Sequence, residues 1–248
     1  MTAAIDYKLF LQAGMPRAAS MWVYNVGRVL LREAGLTVVP EVPPPLEDDE
    51  RVAVAEALAE SRPGIVWAVK SHLAFAAGAD FLARTRIVTT VRDPRAAVLS
   101  LMRFTRCDFA TAVAEAAGIW PGLIDHYFDL PDAFVLKLRY EAVVEDPAAA
   151  VRAIAGHLGV PATPVLVASL CERFSRENVR RLTEALGDTM EVPNADGTLR
   201  RYDPATAFQT GHVSGRPDEA WQSELTGDQI VALNAILGPL LRRYGYPV

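Results

Sequence analysis

GMPRAASMW, residues 14–22, follows an apolar run at residues 7–13 and precedes a stretch in which apolar residues recur at helical spacing. A loop of small residues between a buried strand and a helix presents backbone N–H groups to an anion, and the helix dipole adds to the attraction. Arg17 places a cation in the same loop. The stretch therefore predicts the first strand–helix unit of a parallel sheet, with a phosphate-binding loop at its turn.

A second stretch, VRDPRAAVLS at residues 91–100, has the same character. Arg92 stands at the end of another apolar strand, and Ser100 lies two turns into the helix that follows. A nucleotide that is phosphorylated at both ends of its ribose needs two separate anion pockets. We therefore expect the two stretches to bind one such nucleotide.

The composition limits the class of protein. The chain has 248 residues, of which 51% are hydrophobic, so a large core is expected, and its net charge of -5 disfavours a general nucleic-acid binder. Cys107 and Cys171 are too few for a disulfide framework and indicate a reducing cytosol. No apolar run approaches the ~20 residues of a membrane span, and the N-terminus has no signal-peptide pattern. These observations predict a soluble, cytoplasmic protein.

Strand and helix patterns alternate along the first two thirds of the chain. Strands are predicted at residues 7–13, 36–39, 64–70, 86–91 and 134–138. Helices are predicted at residues 20–33 with Ser20 as N-cap, at 49–61, from 147 to 158, and at 226–243. This alternation predicts an α/β fold with a doubly wound parallel β-sheet flanked by helices and a helix-rich C-terminal half. The single domain is expected to span residues 1–248, with an irregular segment at 187–220.

Polar residues recur where the predicted strands end. Arg17 and Ser20 follow the first strand, Lys70 and His72 end the third, and Arg92 ends the fourth. Lys70 and His72 are two residues apart, so they project to the same side of an extended chain. Ligands of open parallel sheets bind beyond the carboxyl ends of the strands. We therefore expect these residues to face one crevice.

The first loop is not a Walker A sequence. That pattern requires Gly-Lys-Ser/Thr after Gly and four further residues, whereas Gly14 is followed at those positions by Ala19, Ser20 and Met21. Hydrolysis of ATP or GTP is therefore disfavoured, and a P-loop phosphoryl-transfer enzyme remains only as the weakest alternative.

Five segments resemble, in order, the motifs of the PAPS-dependent sulfotransferase family (PAPS is 3′-phosphoadenosine 5′-phosphosulfate). Residues 16–22 are similar to the family's PKSGTTW, which cradles the 5′-phosphosulfate, and residues 70–72, KSH, to its KTH. Residues 92–100 match its RDPR segment and the serine eight positions after the first arginine, which bind the 3′-phosphate. Residues 138–159 resemble its Tyr-Glu-Asp segment, and residues 211–221 its late glycine-containing loop.

The resemblance implies a P-loop-like fold and transfer of a sulfuryl group from PAPS, leaving PAP, to a hydroxyl or amine of a small-molecule or carbohydrate-like acceptor, without a metal. His72 would be the general base, with Arg17 and Lys70 as stabilising cations. The implied nucleotide-binding residues are Arg17, Ala18, Ala19, Ser20, Met21, Trp22, Arg92, Ser100, Tyr140, His212, Ser214, Gly215 and Arg216.

The departures from the family pattern leave a second function open. Arg17 replaces a lysine, Ala18 and Ala19 replace Ser-Gly, and Met21 replaces a threonine. A protein that binds PAP or PAPS but has lost catalysis is therefore an alternative. Structural interpretations also stand beside the functional ones, such as core packing for Trp22. The sequence names no acceptor and leaves the oligomeric state open, a homodimer included.

Overall fold

The computed structural model describes residues 5–44, 50–187 and 189–248. Its centre is a five-stranded sheet in which every pairing is parallel. The strands are β1 Leu9–Ala13, β2 Thr37–Val39, β3 Ile65–Ser71, β4 Thr85–Val91 and β5 Val135–Arg139, in the spatial order β2-β3-β1-β4-β5. The predicted parallel sheet is therefore confirmed, with strand ends displaced by one or two residues.

The helices account for most of the remaining chain. They are α1 Ser20–Glu33, α2 Glu50–Ala59, α3 Ala79–Ala83, α4 Pro94–Thr105, α5 Phe109–Phe128, α6 Tyr140–Glu145, α7 Pro147–Leu158, α8 Pro164–Arg173, α9 Arg176–Glu184, α10 Trp221–Glu224 and α11 Gly227–Arg243. Residue 49, where the second predicted helix begins, lies outside the described residues. The segment predicted to be irregular contains a short antiparallel pair, β6 Glu191–Pro193 and β7 Leu199–Arg201. None of the helices in the described ranges combines the length and apolarity that a bilayer crossing requires.

Alternating side chains cover the two faces of the sheet with helices. Phe10 and Val88 pack into a core formed with α1 and α7, whereas Leu9, Leu11 and Ile87 pack into a core formed with α2 and α5. Successive residues of a strand point to opposite faces, so strands that are apolar throughout must be covered on both sides. The doubly wound arrangement is thereby confirmed.

The start of α1 differs from the sequence-based expectation. Ser20 is the first residue of the helix rather than its N-cap; the N-cap is Ala19, which has a left-handed conformation (φ 65°) and makes no side-chain capping bond. Several other helices have a side-chain cap, such as Asp93 at α4 and Thr226 at α11. Because no side chain caps α1, the N–H groups of its first turn can bind an external anion.

The strand order places the carboxyl ends of three strands next to one another. β1 lies between β3 and β4, and the chain leaves β1 for one edge of the sheet but crosses from β3 to β4 toward the other edge. Connections that diverge in this way open a crevice beyond the strand ends. The loop after β1 and the residues after β3 and β4 therefore meet there.

Gly14 lies where the loop after β1 comes closest to β4. The Met15 amide donates a hydrogen bond of 2.9 Å to the Thr90 carbonyl, and a Cβ on Gly14 would lie 2.6 Å from the Thr90 nitrogen. Only glycine fits such a backbone approach without displacing one of the strands.

We expect Gly14→Ala to lower the free energy of unfolding by about 1–3 kcal/mol, because the added methyl group collides with backbone. Urea unfolding measures this. Gly118→Ala in α5 is the control: its Cβ meets no atom within 4 Å, so stability should stay the same or rise slightly. Equal effects of the two substitutions would contradict the close-approach argument.

Candidate functional site

Arg17 is held by three contacts, two from α4 and one from the late loop. Its Nε donates to Ser100 Oγ at 3.1 Å, its Nη2 donates to the His212 carbonyl at 2.9 Å, and its Cζ lies 4.1 Å from the centre of the Phe104 ring. Arg17 itself has a left-handed backbone (φ 63°). The loop after β1 therefore presents a guanidinium group whose position is determined by α4 and the late loop.

Arg92 joins the second anion-binding stretch to the first. Its Nη1 donates to the Arg17 carbonyl at 3.1 Å, its Nη2 donates to Asp218 at 2.7 Å, and its Cζ lies 4.0 Å from the centre of the Tyr140 ring. Its buried Nε has no acceptor among the described residues. The two stretches that the sequence singles out are thus adjacent.

The Asp218 carboxylate collects three donors. It accepts hydrogen bonds from Arg92, from the Tyr140 hydroxyl at 2.8 Å and from Arg176 at 3.0 Å. The sequence analysis named neither Asp218 nor Arg176. Asp218 lies 126 positions from Arg92 and 42 from Arg176, and no local pattern joins them.

His72 is oriented by the backbone of the first loop. Its Nδ1 lies 2.6 Å from the Gly14 carbonyl, and its Nε2 lies 3.2 Å from Lys70 Nζ. A carbonyl oxygen can only accept, so Nδ1 carries the proton and Nε2 presents its lone pair. This is the tautomer that a general base needs at Nε2.

Burial and mutual repulsion depress the pKa values of this cluster. Burial, and then Lys70, hold the pKa of His72 well below its usual range, so the imidazole is neutral at physiological pH. Burial and Arg17 lower the pKa of Lys70 to about 7, and burial with Arg92 and Arg200 lowers that of Arg17 to about 9. A bound anion would relieve this repulsion and keep Lys70 charged.

Two cavities meet at this cluster. The first has a volume of about 370 Å³ and is lined by residues that include Trp22, Arg92, Ser100, Tyr140, Arg176 and Asp218. The second has a volume of about 760 Å³ and is lined by residues that include Trp67, Lys70, His72, Leu73, Phe104 and Arg200. Arg17, Ser20, Met21 and His212 line both. A ligand in one cavity can therefore meet a ligand in the other beside Arg17.

Most residues implied by the resemblance reach these walls. Ala19 and Ser214 line the first cavity. Ala18 is fully buried in the core and lines neither cavity. Gly215 and Arg216 are exposed and line neither cavity.

His212 and Ser100 both contact Arg17, and both line the first cavity together with Arg92. His212 Nδ1 accepts from the Gln209 amide, and burial lowers the pKa of His212 well below its usual range. A neutral His212 can therefore offer a ligand only the N–H of Nε2.

Known proteins resemble the chain at the levels of sequence family and fold. The model of the Sulfotransferase family matches residues 45–164, and comparison with curated protein sequences gives no significant match. Among solved structures, a mouse sulfotransferase complexed with PAP has a TM-score of 0.63 at 18% identity, over 96% of this chain and 85% of its own. A retinol dehydratase complexed with retinol and PAP has a TM-score of 0.60 at 15% identity, over 96% and 82%.

A further solved structure, the sulfotransferase domain of the Synechococcus olefin synthase, has a TM-score of 0.52 at 19% identity and covers 100% of this chain and 98% of its own. At these identities the structural matches establish the fold alone, an α/β domain built on a parallel sheet. The family match over residues 45–164, together with this shared fold, supports a sulfotransferase-family domain in the chain. Sulfuryl transfer is the general reaction that this family indicates.

The left-handed conformation of Ala19 generates a stability prediction. A Cβ is unfavourable there, so we expect Ala19→Gly to raise the free energy of unfolding by about 0.5–1 kcal/mol, after allowance for the more flexible unfolded chain. Urea unfolding measures the change. Ala18→Gly, one position earlier and buried, is the control and should lower stability. An Ala19→Gly variant less stable than the parent would show that the methyl group is needed.

The depressed pKa of Lys70 generates a pH prediction. Below pH 7 the folded chain holds the Lys70 charge in a buried position, which lowers its free energy of unfolding. This destabilisation disappears as the pH rises toward 10.5, the ordinary pKa of lysine. We expect Lys70→Met to be more stable than the parent at pH 6, with the difference shrinking between pH 7 and 9 in urea titrations. Lys137→Met, which removes an ion pair with Asp132, should show no such trend. A difference independent of pH would contradict the assignment.

Proposed function

We propose that this protein is a PAPS-dependent sulfotransferase. It transfers a sulfuryl group by in-line displacement to a hydroxyl or amine of a small-molecule or carbohydrate-like acceptor, with His72 as the general base. The observation that carries the proposal is the position of His72, beside Lys70 on the wall of the second cavity, while Arg17 lines both cavities where they meet.

The first cavity fits a nucleotide with two anionic ends. The uncapped start of α1 and the side chain of Arg17 suit the 5′ end, and Arg92, whose Nε is buried without an acceptor in the described structure, suits the 3′-phosphate. Trp22 and Tyr140 line the same cavity and offer aromatic faces for adenine. When bound, PAPS supplies the activated sulfuryl group.

The chain's own residues supply proton transfer and charge stabilisation. His72 takes the acceptor proton on Nε2, because Nδ1 is committed to the Gly14 carbonyl. Arg17 and Lys70 stabilise the negative charge that grows on the oxygens of the reacting centre, which is worth about 3 kcal/mol per donor at comparable sites. The depressed pKa of His72 keeps the imidazole neutral and ready to accept the proton.

The second cavity is the proposed acceptor site. It is lined mainly by apolar and aromatic side chains, with His72 and Lys70 among its polar groups. Such a lining suits an acceptor with an apolar body and one reactive hydroxyl or amine. Phe104 of α4 and Arg200 of β7 line this cavity, as do Trp67 of β3 and Glu50 of α2.

Replacement of His72 tests the proposal. We expect His72→Gln to lower kcat for sulfuryl transfer from PAPS by at least about 100-fold, because no neutral base remains beside the acceptor. The Kd for PAP should change little, since His72 lines the acceptor cavity. The measurement combines an acceptor screen with labelled PAPS and calorimetry with PAP.

His126→Gln is the matched control. His126 also bonds a backbone carbonyl, that of Phe75 at 2.7 Å, but lines neither cavity, so its replacement should leave kcat unchanged. Full activity of His72→Gln would disprove the assignment of the base. Tight PAP binding by the parent without transfer to a broad panel of phenols, alcohols and sugars would favour the binding protein without catalysis.

A further inference from the structure

The first cavity already contains an internal anion bound by a well-formed set of donors. The Asp218 carboxylate accepts from Arg92 at 2.7 Å, Tyr140 at 2.8 Å and Arg176 at 3.0 Å, and all four residues line this cavity. Two guanidinium groups and a hydroxyl converging on two oxygens are also the donors that a phosphate group needs. The cluster is therefore a binding site for an anion with Asp218 in it.

We propose that the Asp218 carboxylate takes the place of the nucleotide's 3′-phosphate in the free protein, and that Arg176 and Tyr140 bind this phosphate together with Arg92 once Asp218 has left. The proposal rests on the proposed function, because it presumes a nucleotide with a 3′-phosphate in the first cavity. It assigns Arg176 as a nucleotide-binding residue and Asp218 as an internal competitor.

The three donors stand at the ends of strands or helices. Arg92 directly follows β4, is fixed by the Arg17 carbonyl and by the Tyr140 ring, and has a side chain that is only 9% exposed. Tyr140 begins α6, and Arg176 begins α9, whose N-cap Ser175 accepts from the Asn178 amide. Each donor is therefore attached to a regular element of the fold.

Asp218, by contrast, belongs to a segment with few anchors. Its side chain is 25% exposed, and it begins a single 3₁₀ turn, Asp218–Ala220, that follows three exposed residues, 215–217. A short exposed segment of this kind moves at a lower cost than a helix or a strand. The acceptor can thus leave while the donors remain in position.

A phosphate and a carboxylate cannot share these donors at low cost. Their like charges repel at short distance, and each needs the same N–H and O–H groups. The nucleotide must therefore displace Asp218. The protein's apparent affinity for the nucleotide is then lower than the intrinsic affinity of the open site, because only the molecules in which Asp218 has left can bind. A nucleotide without a 3′-phosphate avoids this competition.

Binding of two nucleotides tests the proposal. PAP and adenosine 5′-monophosphate differ only in the 3′-phosphate, and calorimetry gives the Kd of both. We expect Asp218→Asn to tighten PAP binding about tenfold while leaving the Kd of adenosine 5′-monophosphate within about twofold. Arg176→Gln should weaken PAP binding about tenfold and also leave adenosine 5′-monophosphate unchanged.

Glu219→Gln is the matched control, because it removes the same charge from the neighbouring, exposed position. It should leave both Kd values unchanged, and thermal melting confirms that each variant is folded. The proposal would be overturned if Asp218→Asn bound PAP more weakly than the parent or equally well, or if it changed the Kd values of the two nucleotides equally. An Arg176→Gln variant with the parent's affinity for PAP would also overturn it. Absence of PAP binding in the parent itself would refute the proposed function as well.

Discussion

The hydrogen bond from Arg92 Nη1 to the Arg17 carbonyl connects the two loops on which the site depends. One loop follows β1 and the other follows β4, and these strands are neighbours in the sheet. While Nη1 of the Arg92 guanidinium bonds the backbone of the first loop, its Nη2 donates to Asp218 at the wall of the first cavity. Arg17 in turn projects from that backbone to the junction of the two cavities.

Excess positive charge gives this junction its chemical character. Burial is the main cause of the lowered pKa values of Arg17, Lys70 and the two histidines; Arg17 lowers the pKa of Lys70 further, and both cations lower those of His72 and His212. The histidines respond by staying neutral, because their ordinary pKa is nearest to physiological pH. An arginine stays charged under the same conditions. Two neutral imidazoles and the charged Arg17 guanidinium group thus line the same cavity.

The two histidines show how backbone contacts set their roles. His72 Nδ1 must donate to the Gly14 carbonyl, so its Nε2 is a base, whereas His212 Nδ1 accepts from the Gln209 amide, so its Nε2 is a donor. Both residues were named from the sequence, but their tautomers follow from which backbone group lies opposite each ring. That information depends on loops far apart in the chain, which local patterns do not contain.

The sequence by itself determined the parallel sheet, the positions of α1, α2, α7 and α11 and the residues at the strand ends, because hydrophobic periodicity and loop chemistry are local properties. Its expectation of Ser20 as an N-cap failed, since propensity does not show that the loop delivers Ala19 in a left-handed conformation. Only the tertiary structure decided that Asp218 and Arg176 meet Arg92. Such contacts between distant segments arise from the packing of the helices and the late loop around the sheet, and no spacing along the chain encodes them.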